Sequence, residues 1–161
     1  MSLFAFACAE QDRDITIINQ EESIDKYIES LSDDLEIVSE NGTNRVVIKK
    51  GEGEAAAVGD SLYFYYAGYI FNNGMGALFS TNNSGVAEAA GYPVISGIEK
   101  RVVGGSGLVP GLTKGLIGVK QGENCNIFFS AKYGFNNEPV YNVPKLSPLF
   151  FDIWIERVVK N

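Results

Sequence analysis

The sequence contains no histidine, and this absence narrows the chemistry that the protein can perform. Histidine is the commonest general base near neutral pH and the commonest metal ligand in proteins. The two cysteines, Cys8 and Cys125, belong to no CxxC pair, so nothing in the sequence predicts a zinc site. The glycine-rich run at 104–107 is not followed by the GK[ST] of a phosphate-binding loop and predicts a turn instead. We therefore expect no metal and no cofactor, and neither acid–base nor covalent catalysis is favoured.

Long apolar runs and an excess of basic residues are absent as well. No stretch reaches the roughly 18 apolar residues of a membrane-spanning helix. The chain has 13 basic and 20 acidic residues, and this balance argues against binding to nucleic acid. Residues 1–50 hold 11 acidic and 5 basic side chains, whereas residues 51–161 hold 9 and 8. The acidity thus belongs to an N-terminal extension, and a hydrophobic content of 45% is enough to build a core.

The first residues resemble the end of a secretory signal. Cys8 follows the apolar run 3–7, in the position of the lipidated cysteine of a bacterial lipoprotein. The run is shorter than a working apolar region and no basic segment precedes it, so a leader of another kind or an ordinary unstructured start stays open. We expect Cys8 to be lipidated in a protein of the bacterial cell envelope, periplasmic or in the outer membrane, whose only membrane contact is this anchor.

Residues 9–19 are polar and are predicted to form a mobile tether, since ordering them would cost roughly 1–2 kcal/mol per residue in backbone entropy. A helix is predicted over 19–31, because apolar residues recur there at helical spacing. The stripe consists of Ile24, Tyr27, Ile28 and Leu31. We expect the tether to take no part in a binding site, so that deleting residues 1–19 would leave activity and stability nearly unchanged.

A β-hairpin is predicted after this helix. Asn41-Gly42 is a strong turn signal between two strand-like stretches at 35–39 and 45–49. Helix and hairpin are expected to pack on the outside of the sheet, extending it or covering an edge. The sequence is thus divided into an extension, residues 1–50, with the signal-like tail, the acidic linker, the helix and the hairpin, and a principal domain, residues 51–161.

The stretch 108–123 predicts a short helix between two strands. Pro110 suits the first helical position. Gly111 and Gly115 share one helical face, and because each glycine costs a helix roughly 1 kcal/mol, two of them indicate that the helix lies close against a sheet. Leu112 is expected to point to the core.

Strand-like stretches stand before and after this helix, rich in aromatic and β-branched residues. Strands are predicted over 62–71, 98–103, 126–130 and 149–158, with a loop at 133–147 and no periodicity at 82–97. In this order, Tyr65-Tyr66-Ala67-Gly68, Leu78-Phe79-Ser80, Leu108-Val109-Pro110-Gly111 and Tyr133-Gly134-Phe135 resemble the FKBP-type peptidyl-prolyl isomerases, the macrolide-binding immunophilins. The resemblance covers about residues 51–161. It implies an α+β fold, an FKBP-like twisted antiparallel sheet wrapped around a short helix, with an apolar pocket between them.

The resemblance also implies which residues line that pocket. Those expected around the reacting bond are Tyr66, Phe79, Val109, Leu112, Phe135 and Phe151. Those expected to bind the substrate at the rim and the far wall are Ser80, Leu108 and Val143. Val109 would also offer its backbone amide to a substrate carbonyl.

The implied activity is prolyl cis–trans isomerisation, which needs no acid, base or nucleophile. Rotation about the amide bond meets a barrier of ~18–20 kcal/mol because it breaks conjugation. Apolar surroundings favour the twisted amide, which has lost charge separation, over the planar amide that water stabilises. The implied partners of the chain, expected to be a monomer, are proline-containing polypeptides, in particular exported proteins during folding, and macrolide-type ligands.

The sequence departs from the family at three positions of this site. Ser80 stands where the family has aspartate, Leu112 where it has tryptophan, and Phe135 where it has a tyrosine whose hydroxyl bonds the ligand carbonyl. Losing that hydroxyl removes a hydrogen bond worth about 0.5–1.5 kcal/mol. Losing the aspartate removes a charge and an acceptor at the rim. We therefore expect an isomerase of reduced activity, and the alternative is a chaperone or protein-binding module on the same fold without turnover.

Overall fold

A computed structural model describes residues 3–95 and 97–161, with side chains from residue 6 onward. Met1 and Ser2, with which the predicted extension begins, and Ser96 of the segment 82–97 lie outside the described residues. The elements are α1 (Leu3–Glu29), β1 (Glu36–Glu40), β2 (Thr43–Lys49), β3 (Ser61–Phe71), β4 (Met75–Thr81), α2 (Ser84–Ala90), β5 (Glu99–Val102), α3 (Pro110–Gly115), β6 (Asn124–Phe129) and β7 (Leu149–Val159), with a 3-10 turn at Ala131–Tyr133.

The strands form one antiparallel sheet in the order β1-β2-β6-β7-β3-β4, and β5 pairs with the beginning of β3. The predicted hairpin is confirmed, because β1 and β2 are joined at Asn41 and Gly42, whose φ angles are 53° and 80°. A tight type I′ hairpin turn needs positive φ at both central residues. β2 then pairs with β6, so the hairpin extends the sheet, as predicted.

Helix α3 packs against one face of the sheet, called here the inner face. The predicted close approach is confirmed by the space around its glycines. A Cβ on Gly111 would lie 2.3 Å from the Phe129 ring, and one on Gly115 would lie 2.7 Å from Cγ2 of Ile127. Leu112 is buried between helix and sheet. Because these two positions of α3 have no side chain, the helix backbone lies directly on the strands of the inner face.

Helix α1 packs against the opposite face, called the outer face. Successive strand residues point to opposite faces, so Phe128 lies on the outer face between Ile127 and Phe129 on the inner one. The buried residues of the outer face are Ile24, Ile28, Val46, Ala67, Tyr69, Phe71, Phe128 and Phe150. Tyr27 and Leu31 pack against them, so the predicted apolar stripe docks on the outside of the sheet as expected.

The prediction of a mobile tether over residues 9–19, with the helix beginning only at Asn19, is wrong. Helix α1 is continuous from Leu3 to Glu29. Ile17 is 6% exposed, and Arg13 makes hydrogen bonds to a residue far along the chain. Ile17 extends the buried stripe one further step toward the N-terminus. Contacts with distant parts of the fold offset the entropy lost when these residues become ordered, and a short sequence window does not contain those partners.

The segment 82–97, where the sequence shows no periodicity, contains the short helix α2. Asn83 caps it by accepting from the amide of Val86, and Gly91 ends it in the left-handed conformation with φ of 72°. The predicted strands at 98–103, 126–130 and 149–158 occur with shifted ends. No helix within the described residues is long and apolar enough to cross a membrane. The predicted α+β class, an antiparallel sheet with a short helix against it, is confirmed.

Candidate functional site

The predicted site residues converge at one end of the inner face. Leu112, Val143 and Phe151 belong to its buried core, and Tyr66, Phe79, Leu108, Val109 and Phe135 pack against that core while partly exposed. Ser80 joins them through a hydrogen bond to Tyr66. We call this set the site cluster. Cys8 is exposed on α1. The structure therefore brings the predicted side chains together, and their part in binding or catalysis stays a prediction.

The floor of the site cluster is closed. Leu112 on α3 is 5% exposed, Phe151 on β7 is 4% exposed, and Val143 is 1% exposed. The Phe151 ring stacks on Phe129 at a centroid distance of 5.9 Å, and Phe129 in turn fills the space that Gly111 leaves open. The part of the cluster that a ligand could touch is consequently made of the partly exposed rings and the rim.

The rings of Phe79 and Phe151 meet edge to face above strand β3. Their centroids are 5.7 Å apart with planes at 89°, a favourable arrangement for two aromatic rings. Gly68 makes this arrangement possible, since a Cβ there would lie 2.8 Å from both rings. This glycine belongs to the motif Tyr65-Tyr66-Ala67-Gly68, and no role was predicted for it. A glycine inside a strand is a known mark of close approach, and it was the available signal.

Tyr66 and Ser80 form a polar edge beside these rings. The Tyr66 Oη and Ser80 Oγ atoms are 3.0 Å apart, on neighbouring strands β3 and β4. Either hydroxyl can donate in this pair, so the expected loss of an acceptor at the rim stays a prediction. Ser80 does keep a polar partner for Tyr66, without the negative charge of an aspartate.

Thr81 and Asn82 fix the backbone of Tyr66 where β4 leaves the sheet. The Tyr66 amide donates to Asn82 Oδ1 at 2.7 Å, and Thr81 Oγ1 donates to the Tyr66 carbonyl at 2.7 Å. Asn82 Nδ2 also donates to the carbonyl of Gly97 at 3.0 Å, which ties the segment after α2 to β3. The backbone amide of Asn82 also donates to the Tyr66 carbonyl, at 3.3 Å, so the two side chains supplement the last backbone contact between β4 and β3. Sequence reasoning missed them because the segment after Thr81 has no periodicity to align.

Leu108 and Val109 form the rim at the start of α3. Val109 is the N-cap residue in extended conformation, and its carbonyl accepts from the amides of Leu112 and Thr113, each at 3.0 Å. The first amides of a helix lack partners within it. Among the described residues, the Val109 amide donates no hydrogen bond, so it is available for an acceptor placed on the site cluster.

Phe135 comes from the loop that joins β6 to β7 and covers the open side of the cluster. Its ring meets Phe79 edge to face, with centroids 6.0 Å apart and planes at 73°. As expected from the sequence, it brings an aromatic ring without a hydroxyl to this position. The site cluster is therefore a partly exposed aromatic surface over a closed apolar floor.

Other features of the chain lie away from the site cluster. A cleft of about 900 Å³ is lined by residues 49–54, 121–124, 154–156, 158 and 160, none of which was predicted for the site. Within the described residues, no group of three or more acidic, cysteine or histidine side chains could hold a metal ion. Cys125 is fully buried, as expected, and burial raises the pKa of its thiol well above the ordinary value.

Comparison with known proteins places this geometry among related chains. A family model described as FKBP-type peptidyl-prolyl cis-trans isomerase matches residues 52–156. FK506-binding protein 1 of Aspergillus oryzae is 24% identical over 123 residues, which cover 73% of this chain and 98% of that protein. The N-terminal domain of FKBP42 from Arabidopsis thaliana has a TM-score of 0.64 at 16% identity, over 81% of this chain and 96% of its own. FkpA from Escherichia coli has a TM-score of 0.63 at 20% identity, over 98% of this chain and 70% of its own.

Proposed function

Because this chain belongs to the family of FKBP-type peptidyl-prolyl cis-trans isomerases, we propose that it isomerises X-Pro bonds in polypeptides, with lower turnover than a relative that carries the full set of site groups. The observation that carries the proposal is the convergence of Tyr66, Phe79 and Phe135 on a closed apolar floor. Beside it lies the backbone amide of Val109, which has no partner within the part of the chain that the structure describes. This arrangement offers a proline ring an aromatic surface and offers the preceding carbonyl a donor.

The chemistry follows from what the surroundings do to the amide. A planar X-Pro amide carries charge separation that water stabilises, and the twisted amide has lost it. Partly exposed aromatic rings such as Phe79 and Phe135 would exclude water from the bound amide and so favour the twisted state relative to the planar one. The Val109 amide would hold the substrate carbonyl in place during rotation. A group that binds the twisted state better than the ground state raises the rate.

Reduced turnover is proposed from two of the replaced side chains. Phe135 has no hydroxyl to donate to a substrate carbonyl, which leaves the twisted amide with one hydrogen bond fewer. Leu112 makes a smaller floor than a tryptophan, and at 5% exposure it offers little contact area to a proline ring. The third replacement, Ser80, keeps a partner for Tyr66 at 3.0 Å and is expected to matter less.

A second candidate function is supported by the same replacements. A protein that keeps the aromatic surface and has lost donors would hold proline-containing or apolar segments without turnover, as a chaperone or assembly factor does.

We further propose that the site cluster accepts macrolide-type ligands, as the name of the Aspergillus relative indicates for that protein. Competition between an X-Pro peptide and FK506 for the protein would test this binding. We also expect the chain to act as a monomer.

Two-dimensional exchange NMR on X-Pro peptides separates the two candidates. At micromolar protein, an isomerase increases the exchange rate between the cis and trans resonances above the uncatalysed rate, whereas a binding module only shifts them. Tyr66→Phe removes the hydroxyl on the inner face and should lower the rate. Tyr65→Phe removes the neighbouring hydroxyl on the outer face and is the matched control. Exchange at the uncatalysed rate, with or without peptide binding, would contradict the isomerase proposal.

We also propose that the protein assists exported proteins from a lipid anchor at Cys8 in the bacterial cell envelope. The thiol is exposed on α1 and is therefore accessible for attachment of a lipid. Labelled palmitate fed to a bacterial host should enter the wild-type protein and the Cys125→Ala variant, but not Cys8→Ser. Absence of label from the wild type would contradict the anchor.

A further inference from the structure

We propose that helix α1 holds the β6–β7 loop in place and thereby sets the position of Phe135 over the site cluster, with Arg13 and Gln20 as positioning residues. The expected effect on activity rests on the proposed isomerase function, whereas the contacts between α1 and the loop do not depend on it. It assigns a task in the site to the N-terminal extension, whose tether was predicted from the sequence to take no part in a binding site.

Gln20 bridges both ends of the loop. Its side-chain Oε1 accepts from the amide of Ala131, just after β6, at 2.9 Å. Its Nε2 donates to the carbonyl of Leu146, shortly before β7, at 2.7 Å. Glu21 adds a third bond, since Ser130 Oγ donates to its Oε1 at 3.0 Å. One turn of α1 therefore holds the loop at both of its ends.

Arg13 holds the middle of the loop. Its Nη2 and Nε atoms both donate to Asn136 Oδ1, at 2.6 and 3.2 Å. Asn136 is the residue directly after Phe135 and has a φ of 55°, in the left-handed region. The amide of Leu146 donates to the Asn136 carbonyl at 2.8 Å, so the parts held by Arg13 and by Gln20 are themselves joined. The backbone next to Phe135 is thus tied to α1 both directly and through Leu146.

The sheet fixes α1 independently of the loop. Ile24 and Ile28, in the turns that follow Gln20, are 1% and 8% exposed and belong to the buried cluster of the outer face. A helix anchored in this way is a rigid support, whereas the loop itself has a backbone in the left-handed region at Asn136 and Leu146. Long loops lower catalytic efficiency when they leave a site residue in several positions, because reaction depends on geometry within about 1 Å. We infer that the α1 contacts select the position in which Phe135 meets Phe79.

The consequence for the N-terminal segment reverses the sequence-based expectation. Deleting residues 1–19 removes Arg13 and Ile17, so we expect this deletion to lower the activity. A tether would have left the activity unchanged. Point variants test the idea more sharply than the deletion, because the deletion also uncovers apolar surface of the sheet.

The test compares Arg13→Ala and Gln20→Ala with Gln11→Ala and Glu22→Ala, exposed residues of the same helix, in the full chain. We expect kcat/KM on an X-Pro peptide to fall about two- to tenfold in the first pair and to stay unchanged in the second. The aromatic proton resonances of Phe135 and Phe79 should shift or broaden only in the first pair. Arg13→Lys, which keeps one donor for Asn136, should recover part of the loss.

A double-variant cycle shows whether Arg13 acts through the loop. Asn136→Gly removes the acceptor and tolerates the left-handed backbone, so Arg13→Ala combined with Asn136→Gly should have the kcat/KM of either variant alone. Additive losses would overturn the proposed route, and unchanged Phe135 resonances in Arg13→Ala and Gln20→Ala would overturn the proposal itself. If the wild type shows no isomerase activity, the proposed function fails, and the loop resonances still decide this inference.

Discussion

The two faces of the sheet are both rich in aromatic residues, but helices of very different length cover them. On the outer face, α1 has 27 residues, about 40 Å of helix at 1.5 Å per residue, and buries Phe71, Phe128 and Phe150. On the inner face, α3 has 6 residues, about 9 Å, and leaves Tyr66 and Phe79 partly exposed. A long helix closes an aromatic face and stabilises the fold. A short one leaves aromatic surface open for a ligand.

The comparison predicts that the outer face matters most for stability. Ile24→Ala removes a side chain that is 1% exposed between α1 and the sheet. The free energy of unfolding should fall by about 2–5 kcal/mol, from lost burial and the cavity left behind. Ile15→Ala, at a position 49% exposed on the same helix, should change it by less than about 0.5 kcal/mol. Urea unfolding measures both, and equal effects would mean that α1 does not close the outer face.

The inner face should respond next, through the contact of α3 with the strands. Gly111→Ala places a Cβ 2.3 Å from the Phe129 ring and should destabilise the protein by about 1–3 kcal/mol. Gly85→Ala is the matched control on α2, where a Cβ meets only Asn83 Oδ1 at an ordinary 3.4 Å. It should stabilise by about 0.5–1 kcal/mol, since alanine favours a helix over glycine. Stabilisation by both substitutions would contradict the close packing of α3.

A smaller effect is expected on the pH dependence of the free energy of unfolding, to which two carboxyl groups contribute with opposite signs. Burial on the outer face raises the pKa of Asp152 above its ordinary value of 3.8. Its stabilising contribution is therefore fullest below pH 3.8 and is lost as pH rises through the raised folded-state pKa. Asp152→Asn keeps an acceptor for Asn124 Nδ2. We expect this variant to be more stable than the wild type at pH 7, with the gain vanishing near pH 3.

Asp60 provides the opposite sign for comparison. The hydrogen bond from Lys160, followed by that from the Ala57 amide, lowers the pKa of Asp60 below 3.8. Its contribution is present above pH 3.8 and is lost as pH falls through the lowered folded-state pKa. Asp60→Asn should therefore be less stable than the wild type at pH 7. Urea midpoints between pH 3 and 8 would refute the assignment if both variants changed stability in the same direction.

What the sequence predicts well is local. Asn41-Gly42 carries its turn conformation in its own residues, and Pro110 with Gly111 marks both the start of α3 and its closeness to the sheet. What it predicts poorly depends on partners far along the chain. Arg13 bonds to Asn136, which lies 123 residues away, and no window around Arg13 contains that information.

Two further features of the structure, helix α2 and the role of Gly68, were not predicted from the sequence, for different reasons. Helix α2 carried its signal in the sequence, with Asn83 as N-cap and Gly91 after the last turn, and the absence of periodicity in so short a helix concealed it. Gly68 belonged to a recognised motif, yet its use becomes visible only when the rings of Phe79 and Phe151 are placed above it. The site residues could be brought together by resemblance, and the contacts that hold them required the fold.

The central claim is that the site cluster of the inner face isomerises prolyl bonds and lacks one donor at Phe135. Exchange NMR on an X-Pro peptide with wild type and Phe135→Tyr tests it most directly. We predict exchange above the uncatalysed rate in the wild type, and a gain of about 2- to 13-fold in Phe135→Tyr, corresponding to a hydrogen bond of about 0.5–1.5 kcal/mol. Exchange at the uncatalysed rate in both proteins, or an unchanged rate on adding the hydroxyl, would contradict the account.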